Sequence, residues 1–172
     1  MVIWITGLSG AGKTTLGTEV YRQWKERAPN TVLVDGDTIR ALFKLDGNPD
    51  LYRLDGRRMV AGRIHELCKW LDGQNINVVC CTISLFGDLH DINKQAFSRY
   101  FEVFLDVPMD VLRRRDNKNI YARAFDGKLP DVVGVDLPFD PPSDPDFRID
   151  NTADRSDFAE VASDVLAAAG VS

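Results

Sequence analysis

Gly7-Leu8-Ser9-Gly10-Ala11-Gly12-Lys13-Thr14 places glycines at its first and sixth positions, then a lysine and a hydroxyl residue. Glycines let a backbone curl until successive N–H groups converge on phosphate oxygens. A helix beginning at the same point presents its N-terminus to that negative charge. Lys13 can then reach the β- and γ-phosphates of a nucleoside triphosphate, and the Thr14 hydroxyl can coordinate Mg²⁺. The expected ATP-binding set is therefore Gly7, Ser9, Gly10, Ala11, Gly12, Lys13, Thr14 and Thr15. A Gly-rich turn with an incidental lysine is the competing reading. The apolar run before the motif and the amphipathic run after it weigh against that.

Asp35-Gly36-Asp37-Thr38-Ile39-Arg40 is the second candidate. Carboxylates at i and i+2 on a strand end can both face a crevice, where one can orient Mg²⁺ or accept a hydroxyl proton. Thr14 and Asp37 are the expected metal-side pair. Arg40 lies close enough to bind an acceptor phosphate through its planar fork. An ordinary D-G-D turn is the alternative. In the Arg113-Arg114-Arg115-Asp116 run, Arg113 reads as part of a solvated helix face. The run precedes a long Gly- and Pro-rich segment and reads as the start of a mobile lid over roughly residues 115–145. His65 falls on the polar side of its helix and is expected to be solvated. His90 is placed in the loop after the third strand, nearer the site, and is not counted among its residues.

These residues need a scaffold, and the apolar pattern supplies one. Val2–Thr6 is a continuous apolar run that suggests a strand buried on both faces. A helix follows from Lys13 to about Arg27, with Leu16, Val20 and Trp24 at i, i+4 and i+8 and Pro29 as terminator. Thr31–Val34, Asn77–Ile83 and Phe101–Leu105 read as further strands, and Phe147–Ile149 as a short fifth. Val60, Ile64, Leu67, Cys68 and Leu71 make one helical stripe. Asp91–Ser98 is expected to be helical, and Pro108 starts a helix with Val111 and Leu112 inward. Phe158, Val161, Ala162, Val165 and Leu166 define a last helix, capped by Asp154 or Ser156. Alternation of β and α elements predicts a parallel, doubly wound α/β sheet with ligands at the carboxyl ends of its strands.

The chain has 172 residues, 44% of them hydrophobic and 27% charged, which suits a single domain with a sizeable core. A net charge of −5 argues against nucleic acid as a partner, since phosphate backbones call for a broad basic face. No run approaches the length of a membrane span, and the first residues lack the basic region of a signal peptide. Cys68, Cys80 and Cys81 are too few for a disulfide framework. Cys80 and Cys81 are neighbours, so in a strand their side chains point to opposite faces and read as small buried apolar residues. Reduced thiols fit a cytoplasmic address.

Taken in order, several blocks resemble the adenylylsulfate (APS) kinase family over nearly the whole chain. They are Gly7 to Thr15, Val34 to Arg40 and Phe101 to Pro108. The two most specific are Arg115-Asp116-Asn117-Lys118-Asn119-Ile120-Tyr121, similar to R-D-x-K-G-L-Y, and Val133-Gly134-Val135-Asp136-Leu137-Pro138-Phe139, similar to T-G-I-D-x-P-Y. The resemblance implies a five-stranded P-loop kinase core with a lid, usually a homodimer. It implies an enzyme that uses ATP and Mg²⁺ to phosphorylate the ribose 3′-hydroxyl of a small-molecule nucleotide. It also implies catalytic roles for Lys13, Asp37 and the lid's Lys118, with Arg115 on the ATP side. Asp35, Arg40, Tyr52, Arg57, Ile83, Ser84, Lys118 and position 132 are the implied acceptor contacts.

The acceptor half departs from the family pattern. Where members carry F-I-S-P-Y-R, this chain reads Thr82-Ile83-Ser84-Leu85-Phe86-Gly87. The family's asparagine falls at Val60, one of its two adenine-stacking phenylalanines at Tyr52, and the other at Val132. Two readings of the acceptor follow: adenosine 5′-phosphosulfate itself, or another nucleotide conjugate such as cytidine diphosphoramidate. A GTPase-like switch would need N-K-x-D, and both Asn93-Lys94-Gln95-Ala96 and Asn117-Lys118-Asn119-Ile120 lack its aspartate. A non-catalytic nucleotide-binding module is disfavoured by the retained Lys13, Thr14 and Asp37.

Overall fold

The computed structural model describes every residue except Asn117, Asp154, Ser156 and Ser172. Five strands, β1 (Val2–Thr6), β2 (Thr31–Asp35), β3 (Asn77–Thr82), β4 (Tyr100–Asp106) and β5 (Phe147–Asp150), form one sheet in the order β2-β3-β1-β4-β5. Every pairing is parallel. The helices are α1 (Lys13–Arg27), α2 (Gly36–Leu42), α3 (Leu54–Asp72), α4 (Gly87–Ala96), α5 (Met109–Arg115), α6 (Ile120–Phe125) and α7 (Phe158–Ala168).

Period-two alternation sends the strands' side chains into two separate cores. Ile3 and Ile5 of β1 face a core built with Leu16, Val20 and Trp24 of α1 and Val165 and Leu166 of α7. Val2 and Trp4 face the other, against Val60, Ile64 and Cys68 of α3. Cys80 joins the α3 core and Cys81 the α1 core, as their adjacency in a strand requires. All three cysteines are free and buried. At Gly17 of α1, an added Cβ would lie 2.1 Å from the Cys81 sulfur, so this glycine is what lets α1 approach β3.

Several elements depart from the sequence expectation. Residues 36–42 are helical because the Asp35 carboxylate caps them, accepting from the N–H groups of Asp37 and Thr38. The α3 helix begins at Leu54, one and a half turns before its apolar stripe. Its first turn packs on a 3₁₀ turn at Pro49–Tyr52, where a Cβ on Gly56 would meet the Asp50 carbonyl at 2.2 Å. The α4 helix starts at Gly87, so His90 is helical rather than in a loop. His65 is buried, not solvated, because α4 covers that side of α3; its Nδ1 lies 2.7 Å from Oδ1 of Asn93. His90 is buried too, paired with the Glu102 carboxylate, which also accepts from the Tyr100 hydroxyl at 2.6 Å. The caps expected at Asp154 or Ser156 lie outside the described residues; the residue preceding α7 is Asp157. Arg113 is exposed as expected, its guanidinium lying over the Phe125 ring.

Candidate active site

A cleft of about 670 Å³ opens across the carboxyl ends of β1, β2 and β3. Its floor is the loop between β1 and α1, held from three directions. A Cβ on Gly7 would lie 2.8 Å from the Leu105 carbonyl, so only glycine lets the loop leave β1 this close to β4. Asn151, just past β5, donates from Nδ2 to the Ala11 carbonyl at 2.8 Å. The Tyr121 hydroxyl of α6 donates to the Ser9 carbonyl at 2.9 Å. Both bonds engage backbone carbonyls of the loop, and within it the Ala11 N–H donates to the Leu8 carbonyl at 3.2 Å, so the turn is held in the curl that lets N–H groups converge on an anion.

Lys13 folds back across this loop and donates from Nζ to the Leu8 carbonyl at 2.8 Å. Burial lowers its pKa to about 8, against the opposing pull of Cys81, Asp37 and Asp35. A phosphate arriving at the loop would supply the countercharge this ammonium lacks. Beside it, the Thr14 hydroxyl donates to Oδ2 of Asp35 at 2.8 Å, so Asp35 is at once the cap of α2 and the partner of Thr14.

Asp37 is engaged elsewhere, by Nζ of Lys118 at 2.6 Å. Both side chains are largely open to solvent, 73% and 61%, so the pair is accessible from the cleft. Desolvation alone would raise the Asp37 carboxyl. The Lys118 ammonium, with Lys13 and Arg40 nearby, outweighs it and holds the carboxyl below its usual range.

At the other end, Arg40 and Arg57 flank Tyr52, their guanidinium carbons 4.7 and 5.6 Å from its ring centre. Arg40 donates to the Leu51 carbonyl, while Arg57 donates to the carbonyls of Tyr52 at 2.6 Å and Asp131 at 2.8 Å. Burial lowers both guanidinium pKa values, and the neighbouring Arg40 lowers that of Arg57 further, against the opposing pull of nearby carboxylates. Ser84 follows β3 in a left-handed conformation, φ 46°, with its hydroxyl accepting from Trp4 Nε1 at 2.6 Å.

Of the residues expected at the site, Gly7, Ala11 and Arg115 do not line the cleft; the rest do. Arg115 instead binds the carbonyls of Asn151, Thr152 and Ala153, fixing the chain that leads from β5 to α7. The lid segment is docked among its described residues. Lys118 meets Asp37, Arg57 meets Asp131, and Val132 and Val133 are buried. Asn151 was not legible beforehand, since its partner lies 140 residues away and no local pattern marks it. Tyr121 carried only its place in the R-D-x-K-G-L-Y-like block.

A phosphate-cradling loop with a half-buried lysine, a hydroxyl–carboxylate pair and a lid, on a parallel sheet, defines a P-loop phosphotransferase. The chain belongs to the adenylylsulphate kinase family, whose model matches residues 1–150. It is 34% identical over 151 residues to the cytidine diphosphoramidate kinase of Campylobacter jejuni subsp. jejuni, covering 88% of this chain and 86% of that one. It is also 34% identical over 161 residues to an adenylyl-sulfate kinase of Pseudomonas aeruginosa, covering 92% and 80%. The Mycobacterium tuberculosis APS kinase CysC, in complex with AMPPNP and APS, superposes with a TM-score of 0.83 at 29% identity over 97% of this chain and 95% of that one. The chain is thus an ATP-dependent phosphotransferase with an alcohol group as acceptor.

Proposed function

We propose that this enzyme transfers the γ-phosphoryl group of ATP to the ribose 3′-hydroxyl of a 5′-nucleotide conjugate. The observation that carries this is the convergence of two anion sites on one cleft, with a carboxylate between them. Lys13 and the glycine-rich loop receive the donor phosphates, Arg40 and Arg57 the acceptor's 5′-anion. Asp37 is left to accept the hydroxyl proton. Lys118, now on Asp37, is placed to move toward the transferring group as charge develops there.

A Mg²⁺ ion fits the donor side. Thr14 Oγ1 and the Asp35 carboxylate are adjacent hard oxygens of the kind that bind Mg²⁺ together with phosphate oxygens. The metal pairing inferred from sequence was Thr14 with Asp37. The contact between Thr14 and Asp35 favours Asp35 as the closer partner and Asp37 as the hydroxyl-side group. The ion would neutralise phosphate charge; orientation and proton transfer fall to the side chains.

Adenosine 5′-phosphosulfate is the acceptor that the family relatives suggest. A second reading, cytidine diphosphoramidate, is favoured by the apolar Val60 and Val132, both buried at the cleft wall where a purine site would carry an amide and an aromatic ring. We further infer a cytoplasmic homodimer, on the strength of the three free thiols and the family resemblance. Incubation with ATP·Mg²⁺ and each acceptor in turn, following ADP release, tests the reading. Acceptor-dependent ADP formation supports it, and its absence with both nucleotides opposes it.

A further inference from the structure

Asp136 does not line the cleft, yet its carboxylate closes the lid segment that does. Its Oδ2 accepts from the Asp131 N–H at 2.5 Å and its Oδ1 from the Val132 N–H at 2.6 Å. In return the Val132 carbonyl accepts from the N–H groups of Val135, Asp136 and Leu137, at 3.1, 3.2 and 3.1 Å. Residues 131–137 are therefore a turn closed from both ends. The turn is seated on the phosphate loop. A Cβ on Gly134, at φ 86°, would lie 2.7 Å from the Met109 methyl and 3.3 Å from both Leu8 methyls. Asp131 is left-handed at φ 63°, a conformation uncommon for a residue with a side chain and one that the Asp136 carboxylate holds in place.

This turn has one polar partner across the cleft. The Asp131 carbonyl accepts from Nη2 of Arg57 at 2.8 Å, while the Tyr52 carbonyl accepts from its Nε at 2.6 Å. Both acceptors are neutral, so they orient the guanidinium without cancelling its charge. Nη1 makes no protein hydrogen bond among the described residues, which leaves it for the acceptor's anion. The charges of Asp131 and Asp136 also reach Arg57. Were repulsion of that anion their main effect, removing Asp136 would tighten the acceptor, the opposite of what a holding role requires.

We propose that Asp136 is a positioning residue for the acceptor's anion: by closing the 131–137 turn it keeps the Asp131 carbonyl on Arg57 and so fixes the guanidinium that binds the anion. The inference rests on the nucleotide-acceptor reading above and adds to it a residue outside the cleft.

The test measures steady-state kinetics with adenosine 5′-phosphosulfate and cytidine diphosphoramidate, and AMPPNP affinity by calorimetry, for wild type, Asp136→Ala, Asp136→Asn, Arg57→Ala and the Asp136→Ala/Arg57→Ala pair. Asp136→Ala should raise the KM of the nucleotide that the wild type uses by about tenfold, with AMPPNP affinity unchanged, a split that simple loss of stability does not give. Asp136→Asn keeps one acceptor oxygen and should raise it about threefold. In the Arg57→Ala background, Asp136→Ala should add less than about threefold, because its effect runs through Arg57. Acceptor KM unchanged or lowered in a folded Asp136→Ala variant overturns the inference alone, as does the same tenfold rise with Arg57 absent. Should Asp136→Ala not fold, unchanged acceptor KM in Asp136→Asn does the same. A wild type that phosphorylates neither nucleotide overturns the acceptor reading and this inference with it.

Discussion

Gly17→Ala adds one methyl group to the middle of α1, and the structure predicts the opposite of what helix propensity alone would give. Replacing glycine by alanine inside a helix ordinarily stabilises it by about 1 kcal/mol. Here the new Cβ would lie 2.1 Å from the Cys81 sulfur, with Ile5 and Leu33 side-chain carbons 3.5 and 3.6 Å away. Ordinary contact needs about 3.5–4 Å, so α1 and β3 must separate by roughly 1.5 Å. Cys81 is 1% exposed and Gly17 is buried, so neither has a free direction to move. Overpacking at the upper end of its usual range, about 3 kcal/mol, less the helical gain, leaves a net loss of about 2 kcal/mol. For a chain of this size that lowers Tm by about 4–8 °C. The Cys81 sulfur also lies 3.4 Å from the Lys13 carbonyl, so the strain reaches the phosphate loop and AMPPNP affinity should fall with stability. Thermal melts and urea titrations of Gly17→Ala, Cys81→Ala and the double variant form the assay. Cys81→Ala alone should cost about 1 kcal/mol, and the double variant should return near wild type, a coupling of about 2–3 kcal/mol. A Gly17→Ala protein that melts higher than wild type would refute the reasoning.

Lys13→Ala should leave the fold intact and cut kcat by orders of magnitude, since it removes the cation at the transferring phosphate; single-turnover kinetics of a variant with unchanged circular dichroism checks this, and near wild-type turnover would count against the donor site. Asp37→Asn should lower turnover far more than ATP affinity. Asp35→Asn keeps the α2 cap, because asparagine caps as well as aspartate, and should weaken Mg²⁺-dependent nucleotide binding instead. Equal effects of the two substitutions on both quantities would mean the roles are wrongly divided. Val132→Phe offers a base a second face and should raise the kcat/KM ratio for adenosine 5′-phosphosulfate over cytidine diphosphoramidate by about tenfold, measured in competition; an unchanged ratio in a folded variant would contradict it.

The sequence was legible where chemistry and local pattern coincide. The glycine-rich loop is a contiguous string, and β1, α1 and α7 carry apolar periods that leave one way to bury them. The two cores follow from period-two alternation in β1 and β3, including the opposite fates of Cys80 and Cys81. Legibility failed where a residue's role depends on packing between distant elements. The burial of His65 and His90 follows from α4 lying against α3, and the early start of α3 from Gly56 seating the 3₁₀ turn. No spacing marks Asn151, whose work is done on a carbonyl at the other end of the chain. The acceptor half was legible mainly as departures, at Val60, Leu85, Gly87 and Val132. The geometry adds what occupies the remaining wall: the apolar side chains of Ala61, Leu85, Phe86 and Val133.

The central claim is that one cleft joins ATP to a nucleotide hydroxyl. Its most direct test is ³¹P NMR of reactions containing the protein, ATP·Mg²⁺ and either adenosine 5′-phosphosulfate or cytidine diphosphoramidate. The account predicts ADP and a new ribose phosphomonoester resonance growing in equal amounts with at least one acceptor, both abolished in Lys13→Ala. ADP formation without a new phosphomonoester, or a phosphomonoester that survives in Lys13→Ala, would contradict it.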